Sequence, residues 1–371
     1  MKRRIYLDYA ATSPLLPEVK TVMVRAMEVF GNPSAIHAFG REARELIEEA
    51  RKEVARLINA EPEEIIFTSG GTEANNTVFN TFHGAKVAIS EFEHPSVERA
   101  ILEATKIVEF DEKPDLASVM LANNEIGTIF QVRELVRKMR NWSADENSEK
   151  TGVKRYFHTD ATQAVGKVKI DVRRLGVDYL TFSAHKIGGP KGVGVLFVRK
   201  GAPLRSYFGG GHQENGRRAG TYNTLGIVGL GAAAKYAREN KTWEIYDGKV
   251  RKLRDLLEKR IITEVPEVLI NRVPGDRLPN ISNVSFSGAE GEAIQLYLDA
   301  EGIAVSTGSA CASGDGKPSK TIMALTGDAE RAHSSIRFSL GLEPTEDGID
   351  GVMRVLPRVV EKLRGFSAIK R

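Results

Sequence analysis

The sequence predicts an α/β fold, with a mostly parallel mixed sheet covered by helices and a smaller, second domain towards the C-terminus. Three observations carry this. Short β-branched and aromatic runs recur between small or polar residues, helical patterns lie between many of them, and after about Arg254 the rhythm changes to mainly helical runs. Taken in order, a helix is expected over Arg41–Ile58, where Ala43, Leu46, Ile47, Ala50, Val54, Leu57 and Ile58 recur at helical spacing. Strands are expected at Ile65–Phe67, Val87–Ile89, Ser118–Leu121, Tyr156–His158, Tyr179–Phe182 and Val195–Val198. Asn141–Thr151 is polar and aperiodic and reads as a surface loop. Gly209-Gly210-Gly211 opens a stretch expected to be mobile, ending in Gly220-Thr221. Further strands are expected near Ile281–Phe286 and Ile336–Leu340.

Composition narrows the function. The 371 residues are 41% hydrophobic and 27% charged with a formal charge of +4, which suits a soluble globular protein and opposes a nucleic-acid footprint. One cysteine excludes an intramolecular disulfide and points to a reducing, cytoplasmic setting. The basic start, Met1-Lys2-Arg3-Arg4, is not followed by an apolar run, so no export signal is read, and no apolar stretch is long enough to span a bilayer. Neither H-E-x-x-H nor C-x-x-C spacing occurs, so no metal site is expected.

The reactive residue types gather at the ends of the expected strands, where open α/β sheets bind ligands. Ser69-Gly70-Gly71-Thr72 presents unobstructed N–H groups and a hydroxyl at a helix start, which suits a phosphate; a plain capped turn has the same sequence. Ser183-Ala184-His185-Lys186 ends another strand before a glycine-rich segment. Lys186 there can form a Schiff base, with Lys191 as the local competitor. Asp160 is placed to pair with a pyridinium nitrogen, or else to cap the following turn. His94 can stack on a cofactor ring or shuttle protons as a catalytic residue, or else serve structurally. Cys311 lies among Ser306-Thr307-Gly308-Ser309-Ala310 and Ala312-Ser313-Gly314, small neighbours that let a thiolate reach a substrate. Arg337 alternates with apolar residues on a strand and suits either a bound carboxylate or an internal ion pair.

Together with Leu7-Asp8-Tyr9-Ala10-Ala11-Thr12, Gly31-Asn32-Pro33-Ser34, Asn123-Asn124-Glu125-Ile126-Gly127 and Ser334-Ser335-Ile336-Arg337-Phe338-Ser339, these segments resemble, in order and over nearly the whole chain, the cysteine desulfurases of the NifS/IscS type. The resemblance implies the fold-type I architecture of pyridoxal 5'-phosphate (PLP) enzymes, working as a homodimer. It implies a large PLP-binding domain over residues 14–254 and a small domain from residues 1–13 and 255–371 carrying the cysteine loop. By the same resemblance Lys186 holds the cofactor covalently, His94 stacks on the ring, Asp160 meets the pyridine nitrogen, and Gln163 and Asn124 hold the ring hydroxyl region. Gly71, Thr72, Ser183 and His185 bind the phosphate, and Thr221 reaches the neighbouring subunit's phosphate. Asn124 and Arg337 hold the substrate carboxylate, and Cys311 takes the sulfur of L-cysteine as a persulfide, for an iron–sulfur scaffold or a thiolation enzyme. Selenocysteine lyase, a PLP aminotransferase and a non-catalytic scaffold on a degenerate fold, which the intact Lys186, Asp160 and Cys311 oppose, are the alternatives. The sequence departs from the family in a short Val108–Ala117 segment, in the composition of Asn141–Thr151, and in stopping at Arg371 without the longer tail of many scaffold-serving members.

Overall fold

The computed structural model describes residues 4–101, 105–107, 113–143, 154–308 and 318–366. Cys311, the 108–112 part of the short segment and the 144–151 part of the polar segment lie outside these residues. The chain forms two compact units, one from Pro14–Ala122 and Phe130–Thr242, the other from Met1–Ser13, Asn123–Ile129 and Trp243–Arg371.

The strands are numbered along the chain: β1 (Ile5–Tyr6), β2 (Ile65–Thr68), β3 (Lys86–Ile89), β4 (Thr105–Ile107), β5 (Leu116–Ser118), β6 (Tyr156–Asp160), β7 (Tyr179–Ser183), β8 (Gly194–Val198), β9 (Val268–Ile270), β10 (Ile281–Phe286), β11 (Ile303–Ala304), β12 (Ser306–Thr307) and β13 (Ser335–Ser339). The larger unit is built on a seven-stranded sheet in the order β2-β8-β7-β6-β5-β3-β4. Only β8 runs antiparallel to its neighbours, β2 and β7; the other pairs are parallel. Because β2 and β7 both oppose β8, they point the same way, and the carboxyl ends of β2, β3, β6 and β7 open on one edge.

Helix Ala38–Ile58 forms because Ala43, Ile47, Ala50, Val54 and Leu57 place one apolar stripe on the core. The His37 ring accepts from the Gly40 N–H at its start, and Asn59 in the left-handed region ends it. This helix packs on helix Thr224–Glu239, whose cap is the Asn223 side chain accepting from the Gly226 N–H. A Cβ on Gly231 would lie 2.5 Å from Ala50, so glycine sets how closely the two helices approach.

The smaller unit carries the antiparallel sheet β12-β13-β10-β9 and the parallel pair β1-β11. In β13, Ile336 and Phe338 enter the apolar core with Val284 and Phe286 of β10. The alternate residues, Ser335, Arg337 and Ser339 on β13 and Asn283 and Ser285 on β10, make the opposite face polar, as a pleat of period two requires.

Four expectations need correction. The strand expected at Ser118–Leu121 is Leu116–Ser118, since both faces of β5 are buried and no alternation marks its ends. The polar loop expected from Asn141 is helical through Ser143, as the end of helix Val132–Ser143. The boundary expected at residue 254 falls inside helix Arg251–Glu264, and the smaller unit instead begins at Trp243. It also takes in Asn123–Ile129, because the Ile129 N–H donates to the Asp276 carbonyl and the Leu278 N–H to that of Gly127. The stretch expected to be mobile after Gly209 is anchored. Glu214, in the left-handed region at φ 50°, is buried and accepts both Arg51 Nη1 and Nη2 at 2.8 Å.

Candidate active site

Gly71, Thr72, His94, Asp160, Gln163, Ser183, His185 and Lys186, all sequence-expected residues of the larger unit, lie at or just beyond the carboxyl ends of its strands. The chain leaves β2 through Ser69-Gly70 and enters helix Gly71–Thr81, whose first N–H, on Gly71, donates to Ser183 Oγ at the end of β7 (2.8 Å). A Cβ on Gly71 would lie 3.0 Å from Ser183 Oγ and 3.3 Å from Thr162 Oγ1, so the position is narrow and lined by hydroxyls. Glu73 holds this turn, accepting from the Ser69 N–H and from Arg218. Thr221 is exposed and lines a small cleft of about 110 Å³ with Ser69, Gln213 and Arg218.

Asp160 ends β6, almost wholly buried. Its Oδ1 accepts from the Thr162 N–H (2.8 Å) and its Oδ2 from Asn75 Nδ2 (3.0 Å), so the capping role is present together with a side-chain anchor. Asn75 also donates to Ser96 Oγ (2.9 Å), which lies 2.7 Å from His94 Nδ1, and its Oδ1 accepts from Thr181 (2.6 Å). One hydrogen-bonded chain therefore ties His94 to Asp160. Behind Asp160, His158 bonds Ser118 Oγ (2.7 Å); burial pushes its pKa down to about 4, against the pull of Asp160, so the imidazole is neutral. Glu93 accepts from Ser90 Oγ and the Met120 N–H while its Oε2 is buried without a partner among the described residues. Burial, reinforced by Asp160, raises its pKa to about 8.

Lys186 closes the short turn Ala184–Lys186 directly after β7. His185 is held near pKa 4 by burial and by Lys186, Lys191 and Lys167, which keeps it neutral among cations. Gln163 is buried and accepts Lys167 Nζ through Oε1 (3.1 Å).

The smaller unit holds the other expected residues. Arg337 is buried; its Nη1 donates to the Asn124 carbonyl (3.0 Å) and its Nη2 to Asp8 Oδ1 (2.8 Å). The internal ion pair is thus present, since Asp8 is brought beside β13 by its bridge to Ser339. Glu125 is buried, which raises its pKa, and accepts the hydroxyls of Ser319 and Thr321.

Sequence reasoning missed Asn75, Ser96, Glu93, Lys167 and Asp8 as parts of these networks. Only the spacing of Gly71 and Asn75, one helical turn apart on one face, carried a readable signal for any of them. Among the described residues no group of three or more His, Cys, Asp or Glu side chains is placed to hold a metal.

Comparison with known proteins decides the family. The model of the class-V aminotransferases matches residues 5–111 and 98–352. The chain belongs to this family. It is 43% identical over 399 residues to the cysteine desulfurase IscS of Dictyoglomus turgidum, covering 100% of this chain and 98% of that one. It is 42% identical over 393 residues to a cysteine desulfurase of Cereibacter sphaeroides, covering 98% and 97%. Among solved structures, a NifS-like protein from Rickettsia africae superposes with a TM-score of 0.86 at 29% identity, covering 97% of this chain and 100% of that one. The α/β architecture with its mixed, mostly parallel sheet is that of these fold-type I PLP enzymes, and PLP is the family's cofactor. The residues fit it. The hydroxyl-lined position at Gly71 with a helix N-terminus suits the phosphate, the cations around neutral His185 add positive field, and Asp160 supplies a buried carboxylate for the ring nitrogen.

Proposed function

We propose that this family member is a PLP-dependent cysteine desulfurase that converts L-cysteine to L-alanine and leaves the sulfur on Cys311 as a persulfide. The observation that carries the site assignment is the chain from His94 through Ser96 and Asn75 to Asp160, beside the Gly71–Ser183 cradle. It supports reading His94 as the stacking ring, Asp160 as the carboxylate for the ring nitrogen and the Gly71–Ser183 cradle as the phosphate site, all on one sheet edge. Bound PLP supplies an electron sink for negative charge at the substrate Cα. The chain's own residues do the rest. Gly71, Thr72, Ser183 and His185 hold the phosphate, and Thr221 serves the phosphate of a partner copy. Asp160 keeps the ring nitrogen protonated, His94 covers the ring, and Gln163 and Asn124 hold its hydroxyl side. Lys186 binds the cofactor and takes the Cα proton on Nζ. Arg337 and Asn124 hold the substrate carboxylate. The Cys311 thiolate attacks the substrate sulfur; an S–S bond forms, the C–S bond breaks, and alanine leaves.

The persulfide then passes to an acceptor protein, an iron–sulfur scaffold or a thiolation enzyme. A homodimer is supported by the exposed apolar residues Val22, Val24, Met27, Phe30, Ile36 and Phe39, which a partner copy would cover. We also infer a cytoplasmic setting from the lone cysteine. Among the described residues no helix is long and apolar enough to cross a membrane.

The test pairs alanine release from L-cysteine with mass spectrometry of the Cys311 peptide. Wild-type protein gains one sulfur on that peptide. Cys311→Ser keeps the cofactor and its absorbance but loses alanine release, because a serine hydroxyl cannot accept sulfur. A selenocysteine lyase keeps activity on selenocysteine after this change, and an aminotransferase hardly responds; unchanged alanine release overturns the reading.

A further inference from the structure

The polar face of the smaller unit's sheet presents two buried donors side by side. Asn283 of β10 stands directly opposite Arg337 of β13, so their side chains share a face. Both residues are at least 97% buried. Arg337 spends Nη1 on the Asn124 carbonyl and Nη2 on Asp8, and its Nε has no acceptor among the described residues. Asn283 Nδ2 has none either.

The orientation of the Asn283 amide is determined by its neighbours. Arg331, which can only donate, gives Nε to Asn271 Oδ1 (2.6 Å). Asn271 must therefore present Nδ2, which donates to Asn283 Oδ1 and to Ser285 Oγ, both at 2.7 Å. Ser285 passes its own proton to the Arg331 carbonyl (2.7 Å), which confirms the sense of the circuit. With Oδ1 engaged on that side, Asn283 turns Nδ2 the other way as a donor. Two adjacent donors buried without an acceptor call for a ligand that only accepts, and a carboxylate has two such oxygens. Ser282 Oγ and Asn280 Oδ1 are also without partners, but they alternate with Asn283 along the strand and so face away from Arg337.

We propose that Asn283 is a second donor to the substrate carboxylate, beside Arg337, with its amide set by Asn271 and Arg331. This rests on reading Arg337 as a carboxylate holder. It makes the carboxylate a specificity element, since a site built around two buried donors rejects an analogue that leaves them unpaired.

The test uses PLP-loaded enzyme and three variants, Asn283→Ala, Asn283→Asp and Arg337→Gln. The readouts are KM and kcat for L-cysteine, the dissociation constants of L-alanine and of ethylamine from cofactor absorbance, and the melting temperature. Asn283→Ala raises KM and the L-alanine constant about tenfold, raises KM more than it lowers kcat, and leaves ethylamine, which has no carboxylate, unmoved. Asn283→Asp weakens L-alanine at least as much yet melts no lower than wild type, because its carboxylate accepts from Arg337 Nε; it serves also if the alanine variant does not fold. Constants within twofold of wild type in both Asn283 variants, with Arg337→Gln weakened, overturn the proposal and leave Arg337 in its role. Equal weakening of L-alanine and ethylamine, or a fall in melting temperature and kcat at constant KM, also overturns it. Unchanged constants in Arg337→Gln remove the underlying reading and the proposal with it.

Discussion

Single atoms decide much of the cofactor site. Gly71→Ala puts a methyl 3.0 Å from Ser183 Oγ and narrows the place proposed for the phosphate. Cofactor affinity is expected to fall at least tenfold, read by PLP titration, while the melting temperature of cofactor-free protein changes little. His158 gives a pH dependence. Its folded pKa of about 4 lies below its ordinary value of 6.5, so between those values the unfolded chain binds more protons. The contribution is whole above pH 6.5 and is lost as pH falls towards 4, on the order of 2–3 kcal/mol. His185 acts in the same direction. Melting curves from pH 7 to pH 5 should fall steadily for wild type and less steeply for His158→Gln, whose amide cannot be protonated there. These residues were only partly legible in the sequence. Lys186, Asp160 and His94 stood out by chemistry at strand ends, whereas Asn75 and Ser96 are ordinary polar residues whose importance appears only once the helix and the turn bring them together.

At the scale of elements, the close approach of helices Ala38–Ile58 and Thr224–Glu239 depends on one glycine. Gly231→Ala sets a Cβ 2.5 Å from Ala50 and forces the helices apart. The expected loss is about 1–3 kcal/mol of stability, measured by urea denaturation, with activity retained at low denaturant. The Arg41–Ile58 helix was readable because its apolar stripe repeats over five turns. Strand β5 was placed two residues late at its start and three at its end because a strand buried on both faces has no polar side to mark its register. The end of helix Val132–Ser143 was missed because Asn141, Trp142 and Ser143 have a loop-like composition, while a helix already under way continues through such residues.

For the whole molecule, the proposed homodimer makes cofactor retention depend on association. Phe30→Glu and Met27→Glu together place charge in an exposed apolar surface that already contains the Phe30–Phe39 ring contact at 5.1 Å. Sedimentation velocity should show monomers, with cofactor lost in proportion, because Thr221 would then serve no partner. A dimer with full cofactor in this variant argues against that surface. The two-part organisation was visible as a change of rhythm near residue 254, but its true edges were not. Asn123–Ile129 joins the smaller unit through backbone bonds to Asp276 and Leu278, and backbone pairing over such separations leaves no mark on side-chain pattern.

That same interleaving orders events during synthesis. Ile5 of β1 pairs with Ile303 of β11, and the Asn123–Ile129 segment bonds to residues 276 and 278, so both early pieces leave the ribosome long before their partners exist. The larger unit is complete once Thr242 has emerged. A nascent chain at that point carries a finished sheet with an unpaired leading strand and an unpaired internal loop. Arg337 and Asn283 lie in the part still to be made, so the growing chain completes the sheet edge proposed for the cofactor before it has either of these residues proposed to hold an amino acid's carboxylate.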